Sequence, residues 1–310
     1  MSILTAGSCF AQHLHKTLLQ LNWNVITKES APTGMPKRIA DRYAFGQYSA
    51  RYGNIYTARQ WVELIEEAVS DVPVSPLVWQ REGRFFDALR PSVEPKGLQN
   101  SDEVTQARDA HISAVREALR EADCAIFTLG LTEAWIDQQS GRTLPTAPGT
   151  VAGTLTEAPA SFVNFGYHDV VQDLKKARGL LRDINPKMQT LLTVSPVPLT
   201  ATATDKHVVQ ASTVSKAVLR AAAEAMTTEF EDVDYFPSFE IITTPVLGGP
   251  FFEANLRSPK KEGVERVMQV FVDSYVNGHS DGKVERPAHA DQTDTWDVQC
   301  EDMLLDAFAK

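Results

Sequence analysis

Cysteine is scarce in this chain of 310 residues: Cys9, Cys124 and Cys300 make three, an odd number, and they stand far apart. That spacing excludes a disulfide framework and a zinc-type C-x-x-C pair, and it leaves at least one thiol unpaired within a monomer. No run of 18 apolar residues occurs, so no transmembrane helix is written. The N-terminus has no basic stretch followed by a long apolar core, the pattern of a signal peptide, and a cytoplasmic location is the resulting expectation. Positive charge is also short, with 30 Lys and Arg against 40 Asp and Glu, a net charge of −10 and no basic cluster. A nucleic-acid partner needs a basic face and is excluded on that ground. Neither a metal nor a cofactor is expected. What is present is 43% hydrophobic and 23% charged, enough for a full core in one large domain, or one domain with an appendage.

The stretch that organises the rest is Ile3-Leu4-Thr5-Ala6-Gly7-Ser8-Cys9-Phe10-Ala11-Gln12, an apolar strand running through a glycine turn into a helix. Such a turn places Ser8 and Cys9 at a helix N-terminus, where unpaired N–H groups and the positive end of the dipole favour a thiolate or a developing oxyanion. The residues alone also allow a plainer reading, with Gly7 as a simple turn and Cys9 as a small packing residue.

The expected elements follow in chain order. A strand at 2–6 feeds a helix at about 10–21, whose apolar residues recur at helical spacing. His13 and His15 on it are expected at or near the surface, facing different sides, and receive no role. Residues 24–27 fit a second, edge strand. A Pro/Gly-rich loop from residue 31 carries Tyr48, Tyr52, Gly53, Asn54 and Tyr56, ahead of an amphipathic helix containing Trp61. Residues 73–100 read as a strand-poor excursion that covers the site and helps to select substrate. A helix at 102–122 carries His111 on its apolar side as a packing histidine, and a buried strand at 124–129 places Cys124 in the core. Residues 137–160 read as a second long loop, a lid or binding rim. Helix 169–182, strand 190–194, a polar loop with Asp205 and His207, helix 211–229, strand 233–236 and helix 260–276 complete the body. This alternation implies an α/β fold with a three-layer parallel sheet, wound on both faces, whose long loops lie over the C-terminal edge. The body is expected to span 1–277, followed by a polar linker and a short amphipathic tail over 278–310.

Gly7-Ser8-Cys9-Phe10-Ala11 is the string after which the GSCFA family is named, and the chain resembles that family. The resemblance extends through Thr128-Leu129-Gly130-Leu131-Thr132-Glu133-Ala134-Trp135, Thr193-Val194-Ser195-Pro196-Val197-Pro198 and Tyr235-Phe236-Pro237-Ser238-Phe239-Glu240-Ile241. It covers residues 1 to about 275. The family in turn resembles a divergent branch of the SGNH/GDSL esterases and acyltransferases, which implies a flavodoxin-like sheet. Laid over their Gly-Asp-Ser block, Gly7-Ser8-Cys9 puts Ser8 at the acidic position and Cys9, a thiol, at the nucleophile position. The resemblance further implies an oxyanion hole drawn from Gly53, Asn54, Gly130 and Thr132, with Thr132 standing where those esterases have an asparagine. Gly53-Asn54 reads equally as a plain turn, and Glu133 either as a functional carboxylate or as an N-cap partner of the next turn.

The resemblance implies acyl-ester hydrolysis or acyl transfer on an acetylated carbohydrate, through a covalent intermediate on Cys9. The partner expected is then a small-molecule or glycan ester. The contrasting reading is a catalytically silent glycan- or protein-binding module on the same scaffold. The Asp-x-x-His of those esterases is missing, since Asn255-Leu256-Arg257-Ser258-Pro259 stands at its place. Of the seven histidines only His207 leaves the C-terminal end of a strand, so it is the expected base, with Asp205, or else Glu133 or Glu240, orienting it.

Overall fold

A computed structural model of the chain describes residues 1–70, 72 and 74–275. The tail expected over 278–310, with Cys300, His279 and His289, lies outside the described residues. The N-terminal part runs β1 (Ile3–Gly7), α1 (Ala11–Gln20), α2 (Lys37–Arg42), α3 (Ala58–Val69), β2 (Val78–Arg81), β3 (Arg84–Asp87) and α4 (Ser101–Glu121). It continues with β4 (Cys124–Leu129), β5 (Glu133–Asp137), β6 (Thr143–Leu144), β7 (Ala160–Asn164), α5 (Tyr167–Ile184) and β8 (Gln189–Val194). The last elements are α6 (Val208–Glu229), β9 (Val233–Phe236), α7 (Ser238–Thr243) and α8 (Lys261–Tyr275). No helix among the described residues is long and apolar enough to cross a membrane.

The main sheet is parallel throughout, in the order β1-β4-β8-β9. Its strands are apolar on both faces because both are covered. Leu4, Phe127 and Leu192 point into a core shared with Trp61, Ile65, Leu119, Leu174 and Leu219 of α3 to α6. Their neighbours Ile3, Ile126 and Leu191 point the other way, into Phe10 just ahead of α1, Leu14 of α1, and Val267 and Phe271 of α8. The three-layer expectation is thus what the chain forms. Cys124 lies in the second core, where burial pushes its thiol up to about 12.

Three local expectations change. The edge strand at 24–27 shrinks to one parallel bridge between Val25 and Ile3, flanked by the hydrogen bonds Ile3 N to Asn24 O and Ile26 N to Ile3 O. The excursion at 73–100 contains the antiparallel hairpin β2-β3, turned by Glu82 and Gly83, both at positive φ (52° and 72°) as a tight two-residue hairpin turn requires. The segment 137–160, expected as a loop, contributes to the three-stranded antiparallel sheet β6-β5-β7. Hairpin and small sheet share a core in which Trp79 packs on Gly153, where a Cβ would come within 2.9 Å of the indole. Buried ions tie this excursion to the body. Arg108 of α4 reaches both carboxylate oxygens of Glu67 (2.9 and 2.6 Å) and Asp87 (3.3 Å), while Arg90 reaches Asp87 at 2.9 Å.

Candidate active site

β1 ends beside β4 in a turn that only glycine allows. Gly7 has φ of 131°, and a Cβ there would lie 2.5 Å from the Thr128 carbonyl oxygen. The Ser8 N–H donates to that oxygen at 3.0 Å, and Ala11 N, Gln12 N and His13 N then close on Ser8, Cys9 and Phe10 carbonyls. The N–H groups of Cys9 and Phe10 have no acceptor among the described residues, so the entrance to α1 presents two donors. Ser8 is 1% exposed and Cys9 2%. The Ser8 hydroxyl and that of Thr128 on β4 are buried without a hydrogen-bond partner among the described residues.

The loop before α3 reaches this turn by docking along β1. Ser49 Oγ accepts from Thr5 N at 2.9 Å, the Tyr52 hydroxyl donates to the Thr5 carbonyl, and Ile55 N donates to the Gly7 carbonyl at 2.9 Å. Tyr48 and Asn54 are thereby carried to the turn. The Tyr48 hydroxyl lies 3.1 Å from the Ser8 carbonyl oxygen and 2.5 Å from Asn54 Oδ1, and Gln12 Nε2 donates to both side chains at 3.3 Å. Asn54 Nδ2 donates to the Tyr56 hydroxyl at 3.2 Å. Gly53 sits at φ of 70° and its N–H has no acceptor among the described residues.

At the end of β4, Gly130 packs its α-carbon against Ser8, so that a Cβ there would lie 2.8 Å from Ser8 Cβ. Its N–H, however, donates to the Tyr56 carbonyl at 3.0 Å, and Thr132 N donates to Ser215 Oγ at 3.0 Å. Gly130 therefore contributes contact and shape to the site, and its backbone donor is engaged. Thr132 is buried.

No contact links His207, the expected base, to Cys9 among the described residues. His207 is exposed and forms the N-cap of α6, its Nδ1 accepting from Val209 N at 3.3 Å. Lys216, which touches the Gly130 carbonyl, lies nine positions further along the same helix, about 13 Å at the α-helical rise. Asp205 is exposed and makes no hydrogen bond to His207. Glu133 clasps the loop after β8 instead, accepting from the Thr202 hydroxyl at 2.7 Å and from Ala203 N at 3.3 Å. Glu240 is bound to Arg220 Nε and the Tyr235 hydroxyl.

The other histidines also depart from expectation. His13 and His15 are buried, and burial, with the nearby Lys16 charge, lowers both to about 4. His15 Nδ1 lies 2.7 Å from Thr5 Oγ1 beneath the site. His111 is a buried packing histidine as expected, but Nδ1 pairs with Glu29 at 2.7 Å, and burial ahead of the Arg90 charge lowers it to about 4. His168 is exposed on α5. Sequence reasoning missed Gln12 and Lys216. For Lys216 a signal existed, because it falls on the same helical stripe as Ser212, Leu219, Ala223 and Met226.

A comparison with curated protein sequences finds no match. Among solved structures the chain is similar to an acetyl esterase crystallised as a mutant with acetate ion, at 9% identity and a TM-score of 0.40, over 89% of this chain and 97% of that one. It is also similar to a family 3 carbohydrate esterase from Clostridium thermocellum (8% identity, TM-score 0.36, 88% and 94% covered). A third is a family 3 carbohydrate esterase from Talaromyces cellulolyticus (8%, TM-score 0.40, 89% and 97%). The sequence profile of the GSCFA family matches residues 2–271, which takes in the strand-to-helix turn and every strand of the main sheet, and the chain belongs to the GSCFA family.

Proposed function

We propose that this chain is an acyl-ester hydrolase or acyltransferase that works through a covalent intermediate on Cys9. The observation that carries the reading is the turn itself, where Ser8 and Cys9 sit at the mouth of α1 with two unengaged N–H donors and an unpartnered buried hydroxyl. In the reaction, Cys9 Sγ bonds to the acyl carbon and the alcohol leaves with the proton given up by the thiol. Water or a sugar hydroxyl then attacks the thioester, and the proton returns to sulfur. The oxyanion formed in each step rests on Cys9 N–H and Gly53 N–H, with the Asn54 amide and the Thr132 hydroxyl as side-chain donors. Acetylated carbohydrate is the substrate class that the family resemblance supports.

A second reading, a silent glycan- or protein-binding module, is favoured by one observation: both candidate nucleophiles are almost fully buried. Turnover of an activated acetyl ester, with mass spectrometry of the acylated protein, separates the two. Cys9→Ala is expected to abolish turnover and acylation, and Ser8→Ala to reduce turnover only modestly. The reverse result makes Ser8 the nucleophile. A wild-type protein that is neither acylated nor active rejects the enzyme reading.

A further inference from the structure

A lysine lies buried where the chain has no need of one for packing. α6 turns toward the sheet a stripe of small and apolar residues, Ser212, Ser215, Leu219, Ala222, Ala223 and Met226, and Lys216 falls in that stripe at 4% exposure. Taking an ammonium out of water costs several kcal/mol, which methionine or leucine at the same place would not. Its nitrogen donates to the Gly130 carbonyl oxygen at 2.7 Å. One helical position earlier, Ser215 Oγ accepts from Thr132 N at 3.0 Å, so α6 grips the turn after β4 at two points. That same Gly130 packs its α-carbon against Ser8, whose buried hydroxyl has no partner. Ordinary bond lengths along this path place the Lys216 ammonium within about 9 Å of Ser8 Cβ.

We propose that Lys216 is a positioning residue of the acyl-transfer site, holding the Gly130 turn against Ser8 and placing a fixed positive charge behind the oxyanion that develops at the mouth of α1. The proposal rests on the acyl-transfer reading above and adds to it a cation that the family's esterase-like blocks do not contain. With Ser8 Cβ taken to mark the place of the oxyanion, an effective dielectric constant of about 20 makes a unit charge about 9 Å away worth about 20-fold in rate. The charge acts on the transition state and much less on a neutral ester, so its loss falls on kcat and spares KM.

The test uses the full chain with Lys216→Gln, which can still donate a hydrogen bond but has no charge, and Lys216→Arg, which keeps the charge. Turnover of an activated acetyl ester and thermal melting are followed for both. The expected result is a fall in kcat of about 20-fold in K216Q with KM within about twofold of wild type, and recovery of most of that loss in K216R. Should K216Q melt before it can be assayed, K216R against wild type carries the decision, since a retained charge predicts kcat within about fivefold. Wild-type kcat in K216Q, or equal impairment of kcat in folded K216Q and K216R, overturns the proposal alone. A wild-type protein with no turnover and no acylation overturns the acyl-transfer reading, and this proposal with it.

Discussion

Replacing His15 by asparagine should flatten the dependence of stability on pH, because His15 is buried as the neutral ring against Thr5. Asparagine can keep a polar contact with Thr5 Oγ1, which lies 2.7 Å from Nδ1, while it cannot take up a proton. Burial ahead of the neighbouring Lys16 charge lowers the folded-state value from 6.5 to about 4. Between those values the unfolded chain binds the proton and the fold does not, so stability drops as pH falls through 6.5 toward 4. The penalty for this one residue is about 2 kcal/mol at pH 5 and about 3 kcal/mol at pH 4. His13 and His111 are held at about 4 in the same way, so the three together approach the whole stability of an ordinary domain, roughly 5–15 kcal/mol, by pH 4. Glu29 acts in the same direction but lower. Burial raises it, yet the hydrogen bond and charge of His111 and the Arg90 charge outweigh that and hold it at about 2, so its share is lost only below its unfolded value of 4.5. The window from pH 7 to pH 5 therefore isolates the histidines. Urea unfolding at the two pH values should show wild type losing about 2 kcal/mol more than H15N over that interval, whatever constant cost asparagine adds in α1. Equal losses in the two proteins would mean that His15 is protonated in the fold, and the reasoning would be wrong.

Two further outcomes follow from the same contacts. Arg108→Met removes one of two guanidinium partners from Glu67, which keeps Arg142, and from Asp87, which keeps Arg90, and should cost about 3 kcal/mol at pH 7, part of it regained when Glu67→Gln is added; urea midpoints matching wild type would show that the cluster does not hold the β2-β3 excursion to α4. His207→Ala should leave ester turnover within about threefold and cost no more than the loss of an N-cap, about 1 kcal/mol, whereas a fall of about 100-fold would return His207 to the mechanism as its base.

What could be read before the fold was seen depended on how local the signal was. β1, β4, β8 and β9 are short apolar runs between amphipathic helices, and a parallel sheet buried on both faces leaves that mark in composition alone. The β2-β3 hairpin carried a signal too, Glu82-Gly83 between two aromatic-bearing runs, but the surrounding prolines masked it. β5, β6 and β7 are held by pairing across a segment rich in Gly, Thr and Pro, and non-local pairing of that kind is not written in any one window. His13 and His15 were misjudged for an instructive reason. Residues at i and i+2 do face different sides of a helix, but at the start of α1 both sides are covered, so the rule about direction held and the inference about exposure did not. His207 differs from the other histidines by its place in a loop after β8, and loop position carries no information about which side chains α6 turns inward.

Stability by itself does not account for what is gathered at the end of β1. Gly7 is held at a φ that other residues avoid, Ser8 and Thr128 bury hydroxyls with no partner among the described residues, and Lys216 buries its nitrogen against the Gly130 carbonyl. Each unpartnered hydroxyl costs about 1–3 kcal/mol, and a serine-to-alanine exchange at Ser8 would remove one such cost at no loss of packing. Some other buried polar groups of the same chain are paired closely. Arg108, Glu67, Asp87 and Arg90 pair with one another in a buried cluster, and Thr193 and Ser238 share a hydrogen bond at 2.6 Å. Unpartnered buried atoms occur elsewhere too, at Asp173, His111 and Arg142, but at the end of β1 two such hydroxyls stand beside backbone donors that are also unengaged, an arrangement suited to an atom that arrives from outside. The two unengaged N–H groups of Cys9 and Phe10 and the nearby Lys216 suit an atom that carries or develops negative charge, as the oxygen of an acyl group does in the step proposed for Cys9.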